Sequence, residues 1–166
     1  VIRCTAKALE EHPQINAVRQ ENNIIQKHYV NVGIAVATPR GLLVPVVTDA
    51  NKKTLQEIAG ATKVLAEKAK SGTITPDELT QGTFTVTNLG MLGVDRFVAI
   101  LNPPESGILA VGAMKKQPVV LEDDSIGVRP MMWLTLTYDH CVIDGAPAAI
   151  FLGRIKELLE NPVLLL

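Results

Sequence analysis

The sequence predicts an α/β fold, a sandwich in which helices flank a mixed sheet, and three observations carry that expectation. Short runs rich in β-branched and small residues recur at 30–37, 83–88 and 131–138, the last alternating apolar and polar as a half-buried strand does. Between such runs stand segments of helical spacing with recognisable caps, the clearest at 54–72. The stretch 118–127 reads as an antiparallel hairpin with a solvated acidic tip at Glu122-Asp123-Asp124-Ser125, which argues against a regular βαβ array.

Composition bounds the function. At 166 residues the chain fits one domain with a real core, and with 47% hydrophobic but only 4% aromatic residues that core must be aliphatic. A net charge of -1 and the lack of any basic tract argue against nucleic acid and against a polybasic membrane patch. The apolar runs are too short to span a bilayer. Cys4 and Cys141 are far apart and lack CxxC spacing, so a reducing compartment is expected, with neither a disulfide framework nor a structural zinc site. The abrupt opening at Val1, without a visible signal peptide, suggests a fragment of a longer chain.

In order, residues 2–11 carry Ala and Leu at helical spacing, and Pro13 stops the helix. Residues 18–26 read as a charged, Asn-rich turn region between short strands. The run 30–37 is expected as one strand, 38–41 as a turn, and 42–47 as the next strand, at an edge or bulge because Pro45 cannot donate to a ladder. Thr54-Leu-Gln-Glu57 matches a capping box; Leu55, Ile58, Thr62, Leu65 and Ala69 follow, and Ser71-Gly72 closes the helix. Thr75-Pro-Asp-Glu78 opens a short helix with proline first. The strand 83–88 runs into Leu89-Gly90-Met91-Leu92-Gly93, whose glycines permit backbone geometry or close approach that a Cβ would block. A rigid turn at 102–105 precedes a small-residue buried strand at 107–113. The strand 131–138 leads into Asp139-His140, a helix covers 148–159, and Asn161-Pro162 leaves an exposed apolar tail, 163–166.

The chemistry concentrates at the end of the strand 131–138. A histidine where a strand gives way to a turn projects well into a cleft, and His140 is followed four residues on by Asp144-Gly145. An imidazole, with an ordinary pKa of about 6.5, is a natural general base near neutral pH. A thiol, at about 8.5, needs such a base to attack as thiolate. Asp144 is placed either to reach the imidazole or to brace the loop, and it doubles as a turn residue and helix cap. Adjacent residues on an extended chain face opposite ways, so Cys141 is expected to be a buried structural cysteine rather than a second nucleophile.

The motif DHCVIDG at 139–145 resembles the acyltransferase (dihydrolipoyl acyltransferase) component of the 2-oxo-acid dehydrogenase complexes. So do HPQINA at 12–17, NVGIAVATPRGLLVPVV at 31–47, FTVTNLGMLG at 84–93, NPPESGILAVG at 102–112 and LLENP at 158–162. These blocks run in order through the whole chain. The resemblance implies the fold of chloramphenicol acetyltransferase and a single catalytic domain over 1–166. That domain lacks its N-terminal part and carries neither a lipoyl nor a peripheral-subunit-binding domain.

The resemblance also implies the chemistry. The histidine matching His140 deprotonates CoA or dihydrolipoamide, the hydroxyl of Thr87 donates to the tetrahedral oxyanion, and Asp144 orients the site. CoA is a substrate, the lipoyl group comes from another domain or chain, and no metal is needed. Expected partners are further copies of the chain, as a homotrimer with active sites between subunits that builds a larger symmetric core through the C-terminal segment. The lipoyl domain, the 2-oxo-acid decarboxylase/dehydrogenase and dihydrolipoamide dehydrogenase complete the set, in the cytoplasm or, in a eukaryote, the mitochondrial matrix. The block Asn88-Leu-Gly-Met91 is more similar to the acetyl-transferring branch, hence to pyruvate dehydrogenase complexes. Two other readings stay open: a structural core without catalysis, and a same-fold acetyltransferase with a hydroxyl acceptor. The Asn-Pro-Pro and Leu-Glu-Asn-Pro blocks argue against the latter. This chain departs from the family in Cys141, where arginine is usual, and in the missing N-terminal stretch with its basic partner for the motif aspartate.

Overall fold

The computed structural model describes residues 1–165. Helix α1 (Ile2–Glu11) buries Ala8 and Leu9 and stops before Pro13, as expected. The region read as a turn, 18–26, is itself a hairpin, β1 (Ala17–Gln20) and β2 (Asn23–Gln26), reversing at Glu21 with φ of 55°. Two expected strands prove to be broken. The run 30–37 divides into β3 (Val32–Ile34) and β4 (Val36–Thr38), which belong to different sheets. The run 42–47 divides into β5 (Gly41–Leu43) and β6 (Val46–Val47) around Pro45, whose carbonyl accepts from the Ile34 N–H at 2.8 Å. Strand β4 therefore turns back on β5 as a separate hairpin, while β6 takes an edge of the main sheet, where a neighbouring proline is tolerated.

Helix α2 (Leu55–Ser71) begins at the predicted capping box: the Glu57 N–H donates to the Thr54 hydroxyl at 3.3 Å, and the Thr54 N–H to the Glu57 carboxylate at 2.7 Å. Gly72 ends it in the left-handed region, φ 76°. Its buried stripe is Ile58, Leu65 and Ala69, whereas Leu55 is exposed. A 3₁₀ turn at Pro76–Leu79 leads to β7 (Phe84–Asn88), β8 (Gly107–Val111) and the hairpin β9 (Lys115–Val120) with β10 (Ile126–Met131). The strand expected at 131–138 is interrupted at Met132-Trp133, so that β11 starts at Leu134 and ends at Tyr138. Helix α3 (Gly145–Glu160) follows.

The main sheet is mixed, with order β11-β8-β7-β3-β6; β7 runs parallel to β3 and β8, and both edges are antiparallel. One face is apolar, and not purely aliphatic as expected: Val32, Phe84, Val86, Leu109 and Val111 pack with Leu9 of α1 and Phe151, Ile155 and Leu158 of α3. Phe84 meets Phe151 edge to face at 5.6 Å. The opposite face carries a smaller cluster in which Ala99, Ile108 and Ala110 are covered by Phe97 and Leu101. At the C-terminal end, Val163 and Leu164 are exposed in a 3₁₀ turn while Leu165 packs on the core; the remainder of the expected tail, Leu166, lies outside the described residues. Among the described residues no helix is long and apolar enough to cross a membrane.

Candidate active site

The three predicted residues sit at two opposite ends of the five-stranded sheet. Tyr138, the last residue of β11, pairs with Gly107 at the start of β8, and His140 lies two residues beyond it. Thr87, near the end of β7, pairs with Ala110 towards the other end of β8. At about 3.3 Å per residue and 4.8 Å between strands, His140 and Thr87 of one chain stand roughly 15–20 Å apart. The fold brings His140 to Asp144 and keeps both from Thr87.

At the histidine end, Asp139 organises the turn. Its N–H donates to the Ser106 carbonyl at 2.9 Å, and its own carbonyl accepts from Val142 and Ile143 at 2.9 and 3.0 Å. Its carboxylate accepts the Cys141 N–H at 2.9 Å and faces the Arg19 guanidinium at 3.3 Å. These contacts, the Cys141 N–H first, hold the Asp139 carboxyl below the usual carboxylate range. His140 is 71% exposed and Asp144 85% exposed, with Nδ1 and Oδ1 3.9 Å apart. That is an electrostatic contact, longer than a hydrogen bond, and water screens it. Asp144 is the N-cap residue of α3, yet its side chain makes no capping bond. The Tyr138 ring lies 5.6 Å from the imidazole. Cys141 is exposed, not buried as expected, because residues 140–142 form a turn and the alternation of an extended chain does not apply there.

Beside this turn a cavity of about 310 Å³ is lined by Arg19, Leu101, Pro103, Glu105 and Asp139. Glu105 is only 5% exposed. Its carboxylate accepts from the Thr85 hydroxyl at 2.5 Å and from Asn102 at 3.3 Å. Burial outweighs both bonds and pushes its pKa up to about 7. Room for the group exists because Gly82 has no Cβ to collide with it.

The threonine end is held by backbone packing. Asn88 accepts from the Gly90 N–H at 2.8 Å, and a Cβ on Gly90 would come within 2.5 Å of the Gly112 carbonyl oxygen. Gly93 takes the left-handed region, φ 82°. Both glycines thus do what the sequence predicts of them. Thr87 opens into a cavity of about 750 Å³ lined by Ile34, Ile58 and Val86, with the cations Arg3 and Lys63 also on its wall. Among the described residues no group of three or more His, Cys, Asp or Glu side chains is arranged to hold a metal. Sequence reading missed Arg19 and Glu105: Arg19 meets its partner across 120 positions, and Glu105 follows two prolines in what reads only as a rigid turn.

This arrangement has close relatives. The model of the family described as 2-oxoacid dehydrogenases acyltransferase (catalytic domain) matches residues 1–166. The chain belongs to that family. It is 45% identical over 166 residues to the dihydrolipoyllysine-residue acetyltransferase component of the pyruvate dehydrogenase complex of Rickettsia prowazekii, all of this chain and 40% of that protein. It is 43% identical over 165 residues to the succinyltransferase component of the 2-oxoglutarate dehydrogenase complex of Haemophilus influenzae, 99% of this chain and again 40% of the relative. The chain thus spans about 40% of the length of these relatives. The dihydrolipoamide acetyltransferase of Azotobacter vinelandii superposes with a TM-score of 0.94 at 38% identity, over 99% of this chain and 68% of that one. That structure belongs to a study of a serine, a histidine and an asparagine in its catalytic mechanism. The cubic core of a pyruvate dehydrogenase multienzyme complex matches equally well, TM-score 0.94 at 38% identity over the same 99% and 68%. A chloramphenicol acetyltransferase shares the fold, TM-score 0.60 at 15% identity over 95% of this chain and 75% of that one.

Proposed function

We propose that this domain transfers an acyl group between the thiols of dihydrolipoamide and CoA. His140 is the general base, Thr87 the donor to the oxyanion, and Asp144 the carboxylate that orients the imidazole. The observation that carries the reading is the exposed imidazole at the strand-to-turn junction. Its Nδ1 faces Asp144, and no hydrogen bond among the described residues occupies the ring, so Nε2 is free for a thiol. Support comes also from the Azotobacter enzyme, whose histidine and asparagine stand four positions apart, as His140 and Asp144 do.

In the proposed reaction the thiol proton passes to Nε2 and the sulfur attacks the thioester carbonyl carbon. The carbonyl electrons move onto oxygen, and the Thr87 hydroxyl donates to that oxyanion, worth roughly 3 kcal/mol. Collapse re-forms the carbonyl, breaks the old C–S bond, and the departing sulfur takes the proton back from the imidazolium. Since one chain cannot join His140 to Thr87, the two belong to different copies in a symmetric assembly, on this reading a trimer within a larger core. The lipoyl group arrives on another domain, where on this reading the 2-oxo-acid decarboxylase/dehydrogenase reductively acylates it and dihydrolipoamide dehydrogenase reoxidises it after transfer. Acetyl is the acyl group that Asn88-Leu-Gly-Met91 favours, while relatives of the acetyl and succinyl branches match at 45% and 43% identity. Parallel assays with acetyl-CoA and succinyl-CoA decide between them.

The decisive experiment mixes two inactive variants. His140→Ala lowers acyl exchange between acyl-CoA and dihydrolipoamide by about 10²- to 10⁴-fold, and Thr87→Val by about a hundredfold. Co-assembled in equal amounts, the two regain about a quarter of wild-type activity, because half the donors of each residue are intact and each site needs one of each. No recovery from properly assembled mixtures would mean that the site lies within one chain.

A further inference from the structure

The turn that carries His140 holds two carboxylates, Asp139 and Asp144, and no lysine or arginine of its own. The cation that balances them comes from elsewhere. Arg19 lies on β1, where the neighbouring Val18 forms a bridge with Glu105 and the Arg19 N–H donates to the Pro104 carbonyl at 3.0 Å. From that anchored backbone the guanidinium reaches the Asp139 carboxylate at 3.3 Å. The other carboxylate oxygen is engaged by the Cys141 N–H. With both Asp139 oxygens occupied, Asp144 is the one carboxylate within 4.0 Å of the imidazole nitrogens among the described residues.

We propose that Arg19 is a positioning residue for His140: it keeps the Asp139 carboxylate turned from the imidazole, so that Asp144 alone faces the ring. The proposal rests on reading His140 as the base. A base that is to accept a proton from a thiol must be neutral beforehand, and each carboxylate brought to it favours the protonated ring. The groups that face the ring or its turn are Asp144 at the start of α3, the Tyr138 ring from β11, Asp139 and Cys141 in the turn, and Arg19 and Glu105 at the adjoining cavity. Loss of Arg19 acts twice in one direction. It removes a positive charge and leaves the Asp139 carboxylate uncompensated, held through one oxygen by the Cys141 N–H, and both effects favour the protonated ring.

Arg19→Ala and Arg19→Lys, made in the assembled protein, test this with two readouts. Carbethoxylation by diethyl pyrocarbonate, followed at the His140 peptide by mass spectrometry, reports the neutral imidazole without any requirement for activity. Its pH midpoint moves up by about half a unit in Arg19→Ala. On the acid side kcat for exchange falls about threefold, while KM for acyl-CoA and for dihydrolipoamide stays within about twofold. Arg19→Lys, which keeps the charge, restores midpoint and rate. An unmoved midpoint in Arg19→Ala overturns the proposal, and so does a lysine variant that behaves as the alanine one. His140→Ala separates the two ideas: retained exchange removes the catalytic reading and the positioning role with it. Lost exchange alongside an unmoved Arg19→Ala midpoint overturns the Arg19 proposal alone.

Discussion

The two ends of the main sheet are built on different principles. At the Thr87 end the backbone is wedged in place by close approaches that only glycine permits, at Gly90 and Gly112. At the His140 end the turn hangs on hydrogen bonds and charges, with Asp139, Arg19 and the buried Glu105 around it. The difference suits the roles proposed for them. An oxyanion donor must stand where charge will develop, without reorganising, and steric packing secures a position. A base must hold and release a proton, and charges tune that. Steric order should be insensitive to pH and intolerant of an added methyl; electrostatic order should behave in the opposite way.

The largest effect is expected where the packing is tightest. A Cβ at Gly112 would collide with the Asp95 carbonyl oxygen and come within 3.4 Å of the Trp133 carbonyl oxygen. Both obstacles are backbone, so neither can swing aside as a flexible side chain would. Gly112→Ala should cost about 3 kcal/mol in urea unfolding, with little change between pH 5 and 8. A loss under 1 kcal/mol would show that this end yields, and the contrast between the two ends would disappear.

Glu105 makes the converse test at the histidine end. Its carboxyl titrates near pH 7 in the folded chain, against an ordinary value of 4.5. The folded state therefore holds the proton more tightly than the unfolded one. That contribution is complete below pH 4.5, declines as pH rises, and is gone above 7, a span of about 3 kcal/mol. Glu105→Gln, neutral at every pH, should abolish this decline and be the more stable protein at pH 8. Urea midpoints for both proteins between pH 5 and 8 check it; parallel curves would mean that the carboxyl is not buried as described.

The same contrast explains what the sequence made legible. The capping box at Thr54 and the stop at Gly72 are local devices, and α2 lies where they put it. The glycines at 90 and 93 mark a constrained turn, and the residues proposed for the site, Thr87, His140 and Asp144, stand within the motifs at 84–93 and 139–145. The division of 30–37 into two strands had no such local sign. It depends on partners far along the chain, with the Ile34 N–H bound to Pro45 and the Ala35 N–H to Val86. Electrostatic partners are equally silent: Arg19 reads as one more charge in a turn region, and Glu105 as the last residue of a rigid turn. Cys141 is exposed for a related reason: the alternation of an extended chain stops at Tyr138, where the strand ends.

The smallest effect is expected at Asp144, although it lies within the motif. Its carboxylate is 85% exposed and 3.9 Å from the imidazole, so in the separate domain the pair is screened by water. Asp144→Asn preserves the shape and removes the charge. Because the side chain caps nothing, the melting temperature should stay within about two degrees. Exchange in the assembled protein should fall by less than about tenfold, far less than for His140→Ala. A thousandfold loss would show that assembly excludes water and shortens the contact into a strong charge-assisted bond. The histidine end would then acquire its geometry only when a second chain covers it, whereas the threonine end is finished within one.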